Sequence, residues 1–309
     1  MKNLKILLTG GYGFLGQYVF QELLKHGFKV KNIFRPRSKI LDLRKVKDCE
    51  KAVKDIDLVI HLAANVGGIG YNQAHPAQLF YDNAIMGINL IESARKAKVE
   101  KFVQVGTVCA YPKFPPTIPF KETEIWQGYP EETNAPYGIA KKMLLEMLRA
   151  YRLEYGFNGI YLLPTNLYGP NDNFNPNSSH VIPALIKKFV EAKKQNQKEV
   201  VVWGTGNPSR EFLFVEDAAR AIVLATLKYN KSEPINLGSA YEIKIKDLVN
   251  KIAKRVGFKG KIIWDKSKPD GQPRRKLDVS LAKKAFGFVS KTNFDIGLKK
   301  TIDWYKNNQ

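Results

Sequence analysis

A glycine-rich turn near the start of the chain constrains the fold most strongly. The apolar run at residues 5–9 predicts a strand, and the pattern after Gly16 predicts a helix. Glycines permit a tight turn and let backbone N–H groups approach a pyrophosphate at a helix N-terminus, so this order of elements is typical of dinucleotide binding. A purely structural turn is the alternative. The residues predicted to bind a dinucleotide here are Gly10, Gly11, Tyr12, Gly13, Phe14, Leu15 and Gly16.

Strands and helices alternate through the first half of the chain. Apolar runs predict further strands at residues 29–34, 57–62, 101–105 and 159–163, and helical periodicity covers residues 76–98. A glycine-rich loop is expected at residues 66–70 and a tight loop at 164–170. This alternation predicts an α/β fold with a Rossmann-type doubly wound parallel sheet. Ligands of such sheets bind beyond the carboxyl ends of the strands.

The pattern changes after Pro170, where a polar loop begins. We expect a nucleotide-binding domain at residues 1–170, to which the chain returns at about 212–238. A smaller C-terminal α/β domain, mainly residues 171–309, is expected to bind the substrate. Its predicted helices lie at 180–194, 215–227 and 245–256, and its predicted strands at 200–204, 210–215 and 261–264.

Composition excludes several classes of protein. The 309 residues carry a formal charge of +21, but the lysines are scattered and form no compact basic block, so nucleic-acid binding is not expected. Scattered lysine is also typical of a lysine-rich proteome or of thermal adaptation. No apolar run reaches the length of a membrane span, and residues 1–8 are interpreted as a first strand instead of a signal peptide. Two cysteines, Cys49 and Cys109, do not make a disulfide framework, which favours the cytoplasm.

Two arginines follow the second predicted strand. Sites for NAD usually carry an acidic residue there to hold the ribose 2′-hydroxyl, whereas Arg35 and Arg37 suit the 2′-phosphate of NADP. The alternative is that they are ordinary loop arginines. We therefore expect NADP(H), with NAD(H) less favoured. Small residues after the third strand, Ala63 and Ala64, would let the backbone lie against this cofactor.

Tyr137 and Lys141 are four residues apart in a predicted helix, with Asn134 as its N-cap and Pro136 in its first turn. This spacing places both side chains on one face. A nearby ammonium stabilises a phenolate, so Lys141 is expected to lower the pKa of Tyr137 and make it a general acid or base. Taken alone, the pair is equally compatible with an ordinary helical tyrosine and a solvated lysine.

Longer strings of residues carry a resemblance to a known family. The glycine turn, the Tyr137–Lys141 spacing and the string at 166–170 resemble the extended short-chain dehydrogenase/reductase family. Within it, the chain is similar to the GDP-L-fucose synthases, which epimerise C3 and C5 of GDP-4-keto-6-deoxy-D-mannose and reduce C4. The strings that carry this narrower resemblance lie at residues 63–69, 164–170, 179–185, 202–204, 210–212 and 268–271.

The resemblance implies catalytic roles. Cys109 and His180 match the acid–base pair that epimerises the sugar, and their ordinary pKa values suit enolisation near neutral pH. Tyr137, assisted by Lys141, would protonate the C4 oxygen, and Thr107 would hold that oxygen. The alternatives are a buried apolar cysteine and a helix-capping histidine.

The resemblance also implies binding residues, and a homodimer joined through helices near 76–98 and 137–155. The positions that match the family's cofactor site, beyond those already named, are Lys141, Pro164, Asn166, Leu167 and His180. Those that match its nucleotide-sugar site are Asn166, Lys188, Trp203, Arg210 and Asp270. No metal site is expected.

The sequence departs from the family at three points. Threonine stands at 107 where serine is common, the string at 106–111 is less rich in serine, and Tyr12 stands where an arginine often grips the 2′-phosphate. An NAD-dependent 4-epimerase or a 4-reductase of another nucleotide sugar is therefore an alternative. A 4,6-dehydratase is disfavoured because Val108 and Cys109 replace its Asp-Glu pair. A non-catalytic NADP-binding protein is disfavoured because the Tyr/Lys pair is kept.

Overall fold

A six-stranded parallel sheet organises the molecule in the computed structural model, which describes residues 3–308. Its strand order is β2-β1-β3-β4-β5-β9, and every neighbouring pair is parallel. These strands are β1 (Ile6–Thr9), β2 (Ile33–Phe34), β3 (Leu58–His61), β4 (Lys101–Val105), β5 (Gly159–Pro164) and β9 (Ile235–Leu237). The expected doubly wound α/β fold is confirmed.

Helices cover both faces of this sheet, which explains why its central strands are predominantly apolar instead of alternating. On one face, Val19 and Leu23 pack with Ile222 against the strands, and on the other Leu90 packs with Leu144. The helices that carry these residues are α1 (Phe14–Lys25) and α7 (Val215–Lys228) on the first face, and α4 (Pro76–Lys96) and α5 (Ala135–Tyr155) on the second. Two short helices are α2 (Val46–Ala52) and α3 (Ile69–Ala74).

A second cluster of elements lies beside the sheet and has its own core around Phe189, Phe212 and Ile252. Strand β8 runs through it and pairs with three others. The strands are β6 (Asn166–Tyr168), β7 (Glu199–Trp203), β8 (Ser209–Phe214), β10 (Glu242–Lys244), β11 (Lys261–Asp265) and β12 (Arg274–Arg275). The helices are α6 (Val181–Lys194), α8 (Ile245–Val256) and α10 (Phe294–Asn307). Helix α9 (Ser280–Phe286) instead packs Ala282 and Phe286 into the core of the parallel sheet, on the face of α1 and α7.

A buried carboxylate ties β8 to the segments around it. Glu211 accepts hydrogen bonds from the backbone N–H groups of Ser239 at 2.6 Å, Ala240 at 2.8 Å and Leu277 at 2.7 Å. Burial raises the pKa of Glu211. Three N–H donors compensate the desolvated carboxyl group, so β8 and the chain entering α9 keep a defined separation.

Four local expectations from the sequence were wrong. The second strand is only Ile33–Phe34, because residues 30–32 form a 3₁₀ turn with Val30 exposed. The expected loop after Pro164 contains β6, which gains its hydrogen bonds from β8. The expected glycine-rich loop at 66–70 ends in α3, which begins at Ile69. Asn134 precedes α5, but its side chain bonds elsewhere and does not cap the helix. The division into two domains stays a prediction.

Candidate active site

The carboxyl ends of the central strands open on a cavity of about 1700 Å³ that extends to α6 and β7. All but two of the residues predicted to bind cofactor or substrate, or to take part in catalysis, line it. The exceptions are Gly11 and Arg35.

The glycine turn forms one end of the cavity. Gly10 adopts a left-handed φ of +67°, and Gly13 N donates to its carbonyl oxygen at 2.9 Å. A Cβ on Gly16 would overlap that same oxygen, so glycine is required for the turn to lie this close to α1. No side chain caps the N-terminus of α1. Its first N–H groups are therefore free for an anion that enters the cavity.

The two arginines after β2 occupy different environments. The guanidinium of Arg37 lies over the ring of Tyr12 at 4.2 Å, and Arg37 lines the cavity. The guanidinium of Arg35 also lies near Tyr12, at 4.7 Å from its ring centre, but it is closer to Phe20, at 3.4 Å, and its stem packs against Gly11. Arg37 is thus positioned toward a ligand, while Arg35 supports the turn from behind.

Lys141 and Tyr137 lie side by side on α5, as the spacing predicts. Lys141 is only 2% exposed, and burial lowers its pKa to about 8. Burial and the neighbouring Cys109 raise the pKa of Tyr137, although a hydrogen bond with Thr107 opposes this. The expected lowering of the Tyr137 pKa is absent here, because desolvation of the phenolate dominates.

Thr107 and Cys109 are held by a short 3₁₀ turn at Val108–Ala110 that follows β4. The Thr107 hydroxyl oxygen accepts a hydrogen bond from Cys109 N at 3.1 Å. This bond fixes both side chains relative to the end of the strand. Both residues line the cavity beside Tyr137.

His180 stands at the N-terminus of α6 and opens on the cavity. Its side chain does not cap the helix, which removes the structural alternative for this residue. Gly68 N donates to the carbonyl oxygen of Ser178 at 3.1 Å, so the loop before α3 holds the approach to His180. His180 is exposed to the cavity, but the atoms packed around its ring desolvate it and, with the cation of Arg275, lower its pKa. The imidazole is therefore neutral at neutral pH and can accept a proton.

The four residues expected to hold only the nucleotide sugar lie toward α6 and β7. Trp203 is half exposed, with Lys268 Nζ 5.4 Å from its ring centre. Lys188 Nζ donates to the carbonyl oxygen of Val201 at 2.7 Å. Burial, and then Arg275, lower the pKa of Arg210 to about 9.

Asp270 lines the cavity, but its carboxylate is already engaged. One oxygen accepts from Thr205 N and the other from the Thr205 hydroxyl, both at 2.7 Å. Asp270 therefore fixes the turn after Trp203 in this structure. Its contact with a substrate stays a prediction.

The arrangement combines a glycine turn at a helix N-terminus with a Tyr/Lys pair and a Cys/His pair on one cavity. The model of the NAD dependent epimerase/dehydratase family matches residues 6–238. This chain belongs to that family. Several curated relatives are named GDP-L-fucose synthase, among them the protein of Escherichia coli K12, which is 39% identical over 320 residues and covers 100% of this chain and 98% of its own.

Two solved structures extend this likeness to the whole epimerase/dehydratase fold. A GDP-L-fucose synthetase from Naegleria fowleri bound to NADP has a TM-score of 0.87 at 30% identity, and the match covers 100% of this chain and 95% of that one. A GDP-6-OMe-4-keto-L-xylo-heptose reductase from C. jejuni has a TM-score of 0.92 at 28% identity, over 100% and 99%. The resemblance to GDP-L-fucose synthases is confirmed.

Sequence reasoning missed one prominent feature of this family member's site. Arg275 lines the cavity with Nη1 3.6 Å from Cys109 Sγ. It lies 166 residues away along the chain. No local pattern singles it out from the run of basic residues at 274–276, since only the pairing of β12 with β8 brings it here.

A polar network beneath α5 was also missed. Asn134 Nδ2 donates to Glu131 Oε2 at 2.5 Å, and Asn134 Oδ1 accepts from Asn72 Nδ2 at 2.9 Å. Asn72 belongs to α3, so the network joins α3 to the start of α5. A polar run before Pro136 is the only sequence signal for it.

Across residues 3–308, three or more His, Cys, Asp or Glu side chains nowhere gather as a metal ion would require. None of the helices in the same residues combines the length and the apolar character needed to cross a membrane.

Proposed function

We propose that this protein is an NADPH-dependent enzyme that epimerises C3 and C5 and reduces C4 of a GDP-4-keto-6-deoxy sugar, giving GDP-L-fucose or a close analogue. The observation that carries the proposal is the convergence of Cys109, His180, Tyr137 and Lys141 on one cavity. The first pair suits proton transfer at carbon, and the second suits protonation of an oxygen. The family relatives named GDP-L-fucose synthase support this combination.

The cofactor is NADP(H), and the glycine turn fits its pyrophosphate. Gly10, Gly13 and Gly16 leave no Cβ between the backbone and the cavity, and the N-terminus of α1 has no side-chain cap. Arg37 is the cation positioned for the 2′-phosphate. When bound, the reduced cofactor supplies the hydride for C4.

Epimerisation requires a base on one face of the sugar and an acid on the other, since the C4 carbonyl acidifies the protons on C3 and C5. Cys109 and His180 fill these roles from two separate elements, the turn after β4 and the start of α6. His180 is neutral at neutral pH because its pKa is lowered, so it can take a proton.

Reduction requires a proton for the C4 oxygen. The raised pKa of Tyr137 keeps its hydroxyl protonated, so Tyr137 is the donor. Lys141, with a pKa of about 8, is mostly cationic at neutral pH and stabilises the phenolate that forms. Thr107, hydrogen-bonded to Tyr137, positions the same oxygen.

The nucleotide is held toward α6 and β7. Arg210 has no carboxylate at ion-pair distance among the described residues, and its guanidinium suits a diphosphate. Trp203 offers an exposed ring face for the base. Lys188 belongs to the same wall, whereas Asn166, which contacts Arg275, is placed for the sugar end of the substrate.

A second candidate is reduction at C4 of a related GDP-keto-sugar without epimerisation. The observation that favours it is the high structural similarity to a solved GDP-keto-heptose reductase. Product analysis separates the two activities, because only epimerisation exchanges the hydrogens on C3 and C5 with solvent.

We also propose a cytoplasmic homodimer joined through α4 and α5. Large apolar side chains stand exposed on these helices, among them Tyr81 and Leu153, the latter 89% exposed. Apolar surface of this kind is typical of an interface. A monomeric mass in sedimentation at micromolar protein would contradict the dimer.

The test of function is NADPH oxidation with GDP-4-keto-6-deoxy-D-mannose, followed by identification of the sugar. A fucose product is expected. A rhamnose product would support the 4-reductase, and full formation of fucose by Cys109→Ser would show that Cys109 has no part in epimerisation.

A further inference from the structure

Two arginines lie side by side at the wall of the cavity. Arg275 of β12 pairs in register with Arg210 of β8, and among residues 3–308 neither is at ion-pair distance from a carboxylate. Two like charges held side by side on neighbouring strands repel one another. A local arrangement that costs stability is expected at functional sites, so each guanidinium needs a functional explanation.

The two guanidiniums have different neighbours. Arg210 donates to the backbone carbonyl oxygens of Ser209 at 2.8 Å and Asp270 at 3.1 Å. Arg275 instead lies with Nη1 3.6 Å from Cys109 Sγ and 3.5 Å from Asn166 Oδ1. Arg275 is therefore directed at the reacting end of the cavity.

Arg275 is anchored from behind by Gln272. Its Nε donates to Gln272 Oε1 at 2.9 Å, and the Gln272 amide donates to the carbonyl oxygens of Pro112 at 3.0 Å and Lys113 at 2.9 Å. Arg275 is only 6% exposed. The guanidinium is thus fixed to the backbone that follows the Cys109 turn, and little side-chain entropy remains to be lost.

We propose that Arg275 is a positioning residue for epimerisation, which holds the Cys109 sulfur and stabilises the negative charge on it. The proposal rests on the proposed function. When Cys109 removes a proton from C3 or C5, an S–H bond forms and the C–H electron pair moves into the enolate. When Cys109 delivers a proton, the S–H bond breaks and the pair stays on sulfur. In both directions one state carries a thiolate, which a fixed guanidinium at 3.6 Å stabilises.

The other charged or titratable groups around this sulfur do not replace Arg275. Tyr137 is neutral because its pKa is raised, and Arg210 is directed to backbone carbonyl groups. His180 is kept neutral partly by Arg275 itself. Arg275 is thus the cation that contacts the sulfur.

The test measures deuterium incorporation at C3 and C5 of the keto-sugar in D₂O, with the enzyme loaded with NADP⁺ so that reduction is absent. We expect Arg275→Gln to slow deuterium incorporation about 10- to 100-fold, because a charge-assisted hydrogen bond to the sulfur is lost. The KM for the substrate should change little. Arg275→Lys should recover part of the rate. Arg274→Gln, the same change one residue away on an exposed arginine paired with Glu242, should match wild type.

The outcomes separate the two proposals. If Arg275→Gln raises KM but leaves incorporation at the wild-type rate, Arg275 binds the substrate and the inference is wrong. If the wild-type enzyme incorporates no deuterium, the proposed epimerase function itself is overturned. Should Arg275→Gln not fold, Arg275→Lys serves instead, since it keeps the positive charge but lacks the fork that places Nη1 at the sulfur. That variant should also slow incorporation, and an unchanged rate would overturn the inference.

Discussion

Gly138 of α5 lies directly against the carbonyl group of Cys109, so closely that a Cβ at position 138 would overlap the carbonyl oxygen. Because Tyr137 precedes Gly138 in the same helix, this contact sets the distance between the Tyr/Lys pair and the turn that carries the thiol. One glycine therefore aligns two parts of the proposed chemistry.

Replacing this glycine should uncouple them. The added Cβ would meet the backbone carbonyl group of Cys109, which cannot rotate away as a side chain could. We therefore expect Gly138→Ala to shift α5 and lower kcat about 100-fold, as a displacement of about 1 Å in an active site can do. Its free energy of unfolding should fall by about 1–3 kcal/mol from overpacking. Steady-state kinetics measures kcat, and urea unfolding measures the free energy of unfolding. The control is Ala150→Gly, at an exposed site of the same helix, which should lower the free energy of unfolding by about 1 kcal/mol and keep full activity. A wild-type kcat for Gly138→Ala would show that this contact does not align the two parts of the site.

The pKa of Lys141 predicts a pH limit on reduction. Burial lowers this pKa to about 8, so the cation that we propose supports the Tyr137 phenolate is lost as the pH rises above that value. We expect kcat for reduction to fall above about pH 8. Lys141→Arg keeps the positive charge at high pH, so the kcat of this variant should not fall above about pH 8. If kcat of Lys141→Arg falls above about pH 8 as in the wild type, a group other than Lys141 causes the decrease.

The different environments of the two arginines after β2 predict different phenotypes. Arg37→Gln should weaken NADPH binding about tenfold or more and leave NADH binding almost unchanged, because only NADPH carries the 2′-phosphate. Arg35→Gln is the matched control: it should lower the unfolding midpoint through lost packing on Phe20, with a smaller effect on NADPH. Equal loss of NADPH affinity in both variants would contradict this assignment.

Asp217 predicts a loss of stability in acid. Burial opposes ionisation, but hydrogen bonds from Arg220 and Thr292 outweigh it and hold the Asp217 pKa below its usual value. A lowered folded-state pKa stabilises the protein above the unfolded-state value near 3.8, and that stability is lost as the pH falls through the folded-state pKa.

Asp217→Asn should therefore be less stable by about 1–3 kcal/mol at pH 7, with the difference from wild type shrinking below about pH 4. Urea unfolding across this range measures it. Asp303→Asn, which breaks an exposed pair with Lys299, should cost less than about 1 kcal/mol. A difference for Asp217→Asn that stays constant with pH would exclude the ionised carboxylate as its origin.

Much of the candidate site was predictable because its signals are local. The strand, the turn at Gly10–Gly16 and the following helix are adjacent in sequence, and so are the glycine spacing and the periodicity that identify them. The same holds for Tyr137 and Lys141, whose shared helix face follows from a spacing of four. The errors at residues 30–32 and 166–168 occurred where pairing or exposure, and not propensity, decided the backbone.

The sequence by itself determined the parallel sheet, the family and the residue types available for chemistry, since these depend on short-range patterns. Tertiary structure alone decided that Arg275 contacts Cys109, that Arg35 packs under the turn while Arg37 faces the cavity, and that the pKa of Tyr137 is raised. The physical reason is that electrostatics and desolvation depend on distances through space. Those distances are set here by strand pairing and by helix contacts between residues far apart in the chain.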